Sequence, residues 1–268
     1  MVITSKTNNI VKFIKSLNEK KYRVLNTMFY LEGIKVVNEA IKLYLNGEIE
    51  IDSIVYSTEI LSKTNGGNTF LEKLNEIINI NKYEFSKDIF NYVTDTVNTQ
   101  GVLVIVKLKE KKLKDLDKLS NTVILDKIQD AGNLGNIIRT ADSFFFKNVI
   151  CIKGTVDCYN PKVVRSTMAS ILRTNIVYID DFKELEMYLK ENNYKILTTC
   201  LKANKYLNEI NAKEKFAVIL GNEAKGVSRE SIDIADILIK IPMNNNVDSL
   251  NVASSASIMM YTLNSNFK

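Results

Sequence analysis

Six short apolar runs recur along the second half of the chain. They are TVILD (122–126), NVICI (148–152), NIVYI (175–179), KILTTC (195–200), FAVIL (216–220) and DILIKI (236–241), and stretches of helical period separate most of them. Strands that are apolar on both faces and alternate with helices predict a parallel sheet covered on both sides. In such sheets ligands bind beyond the carboxyl ends of the strands. The first half reads differently. NNIVKFIKSLNEK places apolar residues at 10, 11, 13, 14 and 17, a helical period, and YLEGIKVVNEAIKLYLNG continues one as far as Gly47, a C-cap candidate. IDSIVYS, KYEFS and GVLVIVKL read as strands. The pattern predicts a small α/β domain over 1–107. A charged linker follows over 108–120, read from the stretch KEKKLKDLDKLSN (109–121), and an α/β parallel-sheet domain occupies 121–268.

The loops after these strands carry the candidate chemistry. TVILD leads into KIQDAGNLGNIIRTADSFFF, where Asn133, Gly135 and Arg139 open a helix with apolar positions 137, 138, 141, 144 and 145 as its buried face. A helix start suits an anion, and an arginine one turn in can fork onto a phosphate. FAVIL leads into GNEAKGVS, which is close to a phosphate-binding loop but lacks its chemistry. Gly226 is followed by Val227, and Lys225 precedes the glycine instead of following it. DILIKI leads into PMNNNVDSLNVASSASIMMYTL, which predicts a helix capped near Asp248 or Ser249. Leu250, Val252, Ala253, Ala256, Met259, Met260 and Leu263 form its apolar stripe, read as core or a helix-packing face.

Composition narrows the choice. The chain of 268 residues is 46% hydrophobic and 25% charged, within the globular range. No run approaches the ~20 apolar residues of a membrane span, and the N-terminus lacks a signal-peptide core, so a cytoplasmic protein without membrane contact is expected. The absence of histidine removes Ser-His-Asp and Cys-His hydrolases and His-ligated zinc enzymes. Cys151, Cys158 and Cys200 have no metal-ligand spacing and read as small core hydrophobes; no metal is expected. The net charge is +5, and Lys6, Lys12, Lys15, Lys20, Lys21 and Arg23 stand against Glu19 alone in the first 25 residues. In NEKKYR an aromatic lies between cations, which makes Lys20, Lys21 and Arg23 RNA-contact candidates; charge alone supports a solvated Lys-rich helix equally.

Taken in order, the three loop blocks resemble motifs 1, 2 and 3 of the SpoU (TrmH) branch of the SPOUT RNA methyltransferases. VDCYNPKVVRSTMASILR (156–173) resembles the segment that family carries between motifs 1 and 2. The basic N-terminal region, with FYLEGIKVVNEAI, is similar to the family's substrate-binding domain, which has an L30e-like α/β fold. The resemblance implies a deep trefoil knot in the catalytic domain, S-adenosyl-L-methionine as cofactor, a homodimer through the knotted domain, and methylation of a ribose 2′-hydroxyl in RNA. Ribosomal RNA (23S) is the first expectation and transfer RNA the second; an RNA-binding protein without catalysis is the alternative from another class. Matching positions give Asn133, Arg139, Glu223, Ser249 and Asn251 as the catalytic set. Thr199, Gly221, Gly226, Ile241, Met243 and Leu250 are the cofactor set, and Arg139 is also expected to touch RNA. With no histidine, Arg139 is expected to clamp a phosphate and orient the ribose while an RNA phosphate or water accepts the proton. Three positions depart from the family pattern: Phe145 where motif 1 generally ends in glycine, Asn245 where motif 3 generally has glycine, and Thr167-Met168-Ala169-Ser170 where Ser-Met-Gly-Ala is usual.

Overall fold

The structure is a computed structural model and describes residues 1–94, 96–244, 246 and 249–264. Two compact units are present: Met1–Lys109 with Tyr159–Leu172, and Glu110–Cys158 with the chain from Arg173 onward.

The first unit runs α1 (Asn9–Ser16), α2 (Lys20–Asn26), β1 (Met28–Glu32), α3 (Ile34–Leu45), β2 (Ile51–Tyr56), α4 (Thr58–Leu61), α5 (Gly67–Glu76), β3 (Asn81–Glu84), α6 (Lys87–Val93) and β4 (Val102–Lys107). Its four-stranded sheet has the order β1-β4-β2-β3, antiparallel except for the β2–β3 pair. Apolar positions 11, 14 and 17 pack with Tyr30, Val55, Phe90, Leu103 and Ile105, so the helical period read at the N-terminus marks a buried face. The helix expected from Tyr30 onward begins only at Ile34. The residues before it form β1, and Gly33, at φ +108°, makes the change from strand to helix. Helix α2 is turned opposite to its polarity: Arg23 is 3% exposed, whereas Val24 and Leu25 are exposed. The Arg23 Nη1 donates to the Leu17 carbonyl at 2.7 Å. Arg23 therefore closes the turn after α1 from inside, and its expected RNA contact is corrected to a structural one. Lys20 and Lys21 remain on the surface.

The second unit contains β5 (Thr122–Asp126), α7 (Ala131–Ser143), β6 (Asn148–Ile152), β7 (Asn175–Ile179), α9 (Phe182–Glu191), β8 (Lys195–Thr199), β9 (Lys205–Tyr206), β10 (Phe216–Gly221), α10 (Arg229–Asp233), β11 (Ile237–Lys240) and α11 (Val252–Leu263); α8 (Pro161–Thr167) belongs to the first unit. The seven strands lie parallel in the order β7-β6-β5-β10-β8-β11-β9. All six expected strands form, and β5, β6 and β10 are buried at every position, as double-faced burial requires. The two-residue edge strand β9 is too short to leave an apolar run. Cys151 and Cys158 are fully buried, and burial pushes the Cys151 thiol up to about 12 and the Cys158 thiol well above its ordinary value.

Three local expectations change. Most of the stretch read as a linker belongs to the second unit, where Leu113 and Leu116 are buried in its core beside Ile124 and Ile150. The sequence signal was the charge run, but two leucines on one side of a 3-10 turn suffice to dock it. Helix α7 buries Leu134, Gly135, Ile137, Ile138 and Ala141 but stops at Ser143, so Phe145 lies outside the helix and 53% exposed, not on its buried face. Helix α11 is capped by Asn251, whose side chain accepts from Ala253 N and Ser254 N, and not by Ser249. Asp248, the other cap candidate, and Asn245 lie outside the described residues.

The two describable departures from the family pattern coincide with left-handed backbone. Phe145 has φ +62° and Ala169 φ +73°, both where the related motifs generally carry glycine. A residue with a Cβ loses roughly 1–2 kcal/mol in that conformation. Phe145→Gly and Ala169→Gly are each expected to raise stability by about 1 kcal/mol, read as a higher urea midpoint at unchanged slope; Phe144→Gly, at φ −110°, is expected to lower it.

Candidate active site at the carboxyl ends of the central strands

Strands β5 and β10 pair in a register that sets Asp126 opposite Gly221, so both end at one edge of the sheet beside the ends of β8 and β11. The loops leaving these ends surround a cavity of about 580 Å³. Its walls include Leu220, Val227, Ile239, Ile241, Leu250 and Met259.

The glycine loop after β10 is a closed hairpin. Asn222 and Gly226 exchange both backbone hydrogen bonds at 2.9 Å. A Cβ on Gly221 would lie 2.3 Å from Gly226 C and Val227 N, so the hairpin folds back over a position where only hydrogen fits. Gly226 meets no such obstacle, but its φ of +70° favours glycine. The Asn222 side chain accepts from Ala224 N and Lys225 N and donates to the Lys127 carbonyl at 2.8 Å, tying the hairpin to the loop after β5.

Asp126 fastens the hairpin's other leg. It is 1% exposed, and its Oδ2 accepts from Ser228 N at 2.6 Å and Ser231 Oγ at 2.7 Å. In the sequence Asp126 stands only as the end of a strand. The available signal was a carboxylate closing an otherwise apolar run, which needs a partner when buried.

Three of the five catalytic candidates, Asn133, Glu223 and Asn251, meet in one chain of hydrogen bonds. The Asn251 Oδ1 caps α11, so its Nδ2 is left to donate, and it reaches Asn133 Oδ1 at 3.0 Å. The Asn133 Nδ2 then donates to Glu223 Oε1 at 3.0 Å. The carboxylate also accepts from Gln129 N and Asp130 N at 3.3 Å each. Helix N–H groups at one end and a carboxylate at the other leave a single orientation for both amides. Burial pushes the Glu223 carboxyl up, but donation from Asn133 and from the backbone N–H groups of Glu223, Gln129 and Asp130 outweighs it, and the net shift is downward.

The expected cofactor positions Thr199, Gly221, Gly226, Ile241, Met243 and Leu250 all line the cavity, together with Glu223, Ser249 and Asn251. Thr199 spends its hydroxyl proton on the Ile219 carbonyl at 3.2 Å. Arg139 stands apart: it is exposed on α7, is not among the lining residues, and its guanidinium has no ion pair or hydrogen bond among the described residues. Glu223 engages loop N–H groups instead of Arg139. No group of His, Cys, Asp or Glu among the described residues is arranged to hold a metal.

The profile of the SpoU rRNA Methylase family matches residues 120–261. The chain belongs to this family. A second profile, the MRM3-like substrate binding domain, matches residues 8–104. A Bacillus subtilis relative, the 23S rRNA (guanosine(2553)-2′-O)-methyltransferase RlmP, is 33% identical over 97% of this chain and 98% of its own. Among solved structures, an AdoMet-bound rRNA methyltransferase from Sinorhizobium meliloti aligns over 100% of this chain and 98% of its own, with TM-score 0.85 and 28% identity. A TrmH-family protein from Porphyromonas gingivalis shares the fold at TM-score 0.81 and 24% identity, over 97% of this chain and 98% of its own.

The SpoU cofactor fits this cavity. Its volume is within the range of small-molecule sites, roughly 300–1,000 Å³, and its apolar walls suit a flat adenine. Ile241, Met243, Ser249 and Leu250 line the cavity from outside helices and strands, so their peptide groups are not committed to a ladder.

The downward shift of Glu223 has a testable sign. A carboxyl whose folded value is depressed adds stability above its unfolded value and loses it as pH falls through the folded one. The hairpin anchor is therefore expected to hold through mildly acidic pH. A carboxyl NMR titration should place Glu223 below an ordinary glutamate, and Asn133→Ala should move it upward.

Proposed function

We propose that this protein transfers a methyl group from S-adenosylmethionine to a ribose 2′-hydroxyl of 23S ribosomal RNA, acting in the cytoplasm. The full-length identity with RlmP carries the reading: 33% over 97% of the chain, spanning both the substrate-binding and the catalytic parts. Asn133, Glu223 and Asn251 joined in one network, with the cofactor positions around one cavity, support it.

When bound, the cofactor supplies a methyl group activated by its sulfonium. The protein has to hold the ribose oxygen in line with that methyl and help a weakly acidic hydroxyl lose its proton. Asn133 and Asn251 form the fixed wall against which the ribose is set. Glu223 keeps that wall and the cofactor hairpin in register through Gln129 and Asp130. Ser249, exposed beside the cavity, offers a hydroxyl to the ribose or the methionyl group. Arg139, exposed on α7 and without an ion pair among the described residues, clamps a phosphate of the target nucleotide, and that phosphate or a water accepts the proton. Lys20 and Lys21 contribute charge to the RNA surface of the first unit. The insertion of β10 between β5 and β8 supports threading of the chain into a trefoil knot.

A homodimer through α7 and α11 is also proposed. Ile258 and Tyr261 are 39% and 63% exposed on α11, and the Tyr261 ring meets Phe144 at 5.7 Å, so an apolar face runs from one helix end to the other.

The decisive experiment incubates the full chain with unmodified 23S rRNA and S-adenosylmethionine and maps 2′-O-methyl positions. One new site is expected; a chain that binds cofactor yet adds no methyl group overturns the reading. Arg139→Lys keeps the charge but loses the planar fork, so both it and Arg139→Ala should lower turnover roughly 10²-fold with an unchanged cofactor dissociation constant. A Lys variant with normal turnover would show that charge alone suffices. Light scattering at micromolar concentration should give a dimer mass, and Tyr261→Glu should shift it toward the monomer; a monomeric, active parent would count against the interface.

A further inference from the structure

The edge strand β9 places Tyr206 beside Lys240 of β11. The Lys240 ammonium lies 4.8 Å from the Tyr206 ring centre, and Tyr206 is still 40% exposed. Lys205 is exposed on the same strand and Lys202 on the loop before it. Lys202 and Lys240, with Lys225 of the glycine hairpin, also line the cavity, so this cationic edge is continuous with the reaction site. Among the described residues, Lys202, Lys205 and Lys225 make no ion pair. The neighbouring carboxylates are engaged by N–H donors and not by these lysines: Glu209 accepts the Tyr206 N–H at 2.8 Å, and Glu223 holds Asn133 and the loop after β5.

Lysine on an edge strand often serves only to prevent strand-to-strand association. That would account for Lys205. It does not account for Lys202 and Lys240, which face the cavity, or for an exposed tyrosine under an ammonium group.

We propose that Lys202, Lys205, Tyr206 and Lys240 form a binding site for single-stranded RNA next to the target nucleotide. Tyr206 stacks an unpaired base, and the lysines neutralise the phosphates on either side. Aromatic rings that stack bases without reading their edges, set among cations that follow the backbone, are the usual chemistry of single-strand binding. The site rests on the RNA reading above and adds to it a contact surface on the catalytic unit, separate from the basic N-terminal segment.

The test uses the full chain and a fluorescent single-stranded oligoribonucleotide of about ten nucleotides, within the usual single-strand site size, with anisotropy as the readout. Tyr206→Ala should weaken binding roughly 5- to 100-fold, the range of one lost stacking contact, and Tyr206→Phe should restore it. Lys205→Ala should reduce the slope of log K against log salt by about 0.7, one released counterion on a single strand. Neither Tyr206 nor Lys205 lines the cavity, so affinity for S-adenosylhomocysteine should equal that of the parent and report an intact fold. If both alanine variants bind RNA as the parent does, with the parent's salt slope, the site is overturned. A parent chain that binds no RNA would instead remove the RNA reading itself.

Discussion

Strand β10 lies between β5 and β8, both of which precede it in the chain, and the positions of the functional loops follow from that insertion. Its backbone is paired on both sides, Ala217 with Thr122 and with Ile196, and every residue in it is buried. A strand held in this way cannot slide by one residue without turning its apolar side chains and breaking two ladders together. Gly221 is thereby fixed opposite Asp126, and the hairpin that follows must turn back over it. The reactive end of the molecule thus takes its precision from the most buried part of the sheet.

On that base the polar groups are placed by satisfaction of hydrogen bonds and not by packing. Asn251 caps a helix, Asn133 receives its amide, and Glu223 receives Asn133 along with two loop N–H groups. Each of three chain segments far apart in sequence contributes one member. Asp126 adds a buried anchor on the far leg of the hairpin, and residues of both legs line the cavity.

The parallel sheet was legible because strands buried on both faces leave continuous apolar runs, and TVILD and NVICI match β5 and β6 residue for residue. Strand β1 was missed because Gly33 lets a strand run straight into a helix with no polar break. Arg23 was misread because charge suggests the surface, whereas this guanidinium is buried and donates to the Leu17 carbonyl, a long-side-chain contact that no local pattern announces. Phe145 was misplaced since helical periodicity does not announce where a helix stops. Residues of the site were legible through their order along the chain, but their connections were not: that Glu223 faces Asn133 depends on strand order, which no local pattern encodes. Asp126 and the β9 edge were overlooked for the same reason, as each acquires its meaning only from a neighbour about a hundred or some thirty-five residues away.

The directional amide chain has a thermodynamic consequence. Because each amide has one permitted orientation, anything that stiffens Asn133 at the start of α7 stiffens Asn251 at the start of α11, and the reverse holds equally. Two ligands that touch opposite ends of such a chain share the entropy of ordering it, so the first to arrive lowers the cost for the second. Linkage makes that benefit mutual and equal in free energy. On the proposed placement of cofactor near α11 and RNA near α7, the two favour each other's binding without any movement of the sheet between them.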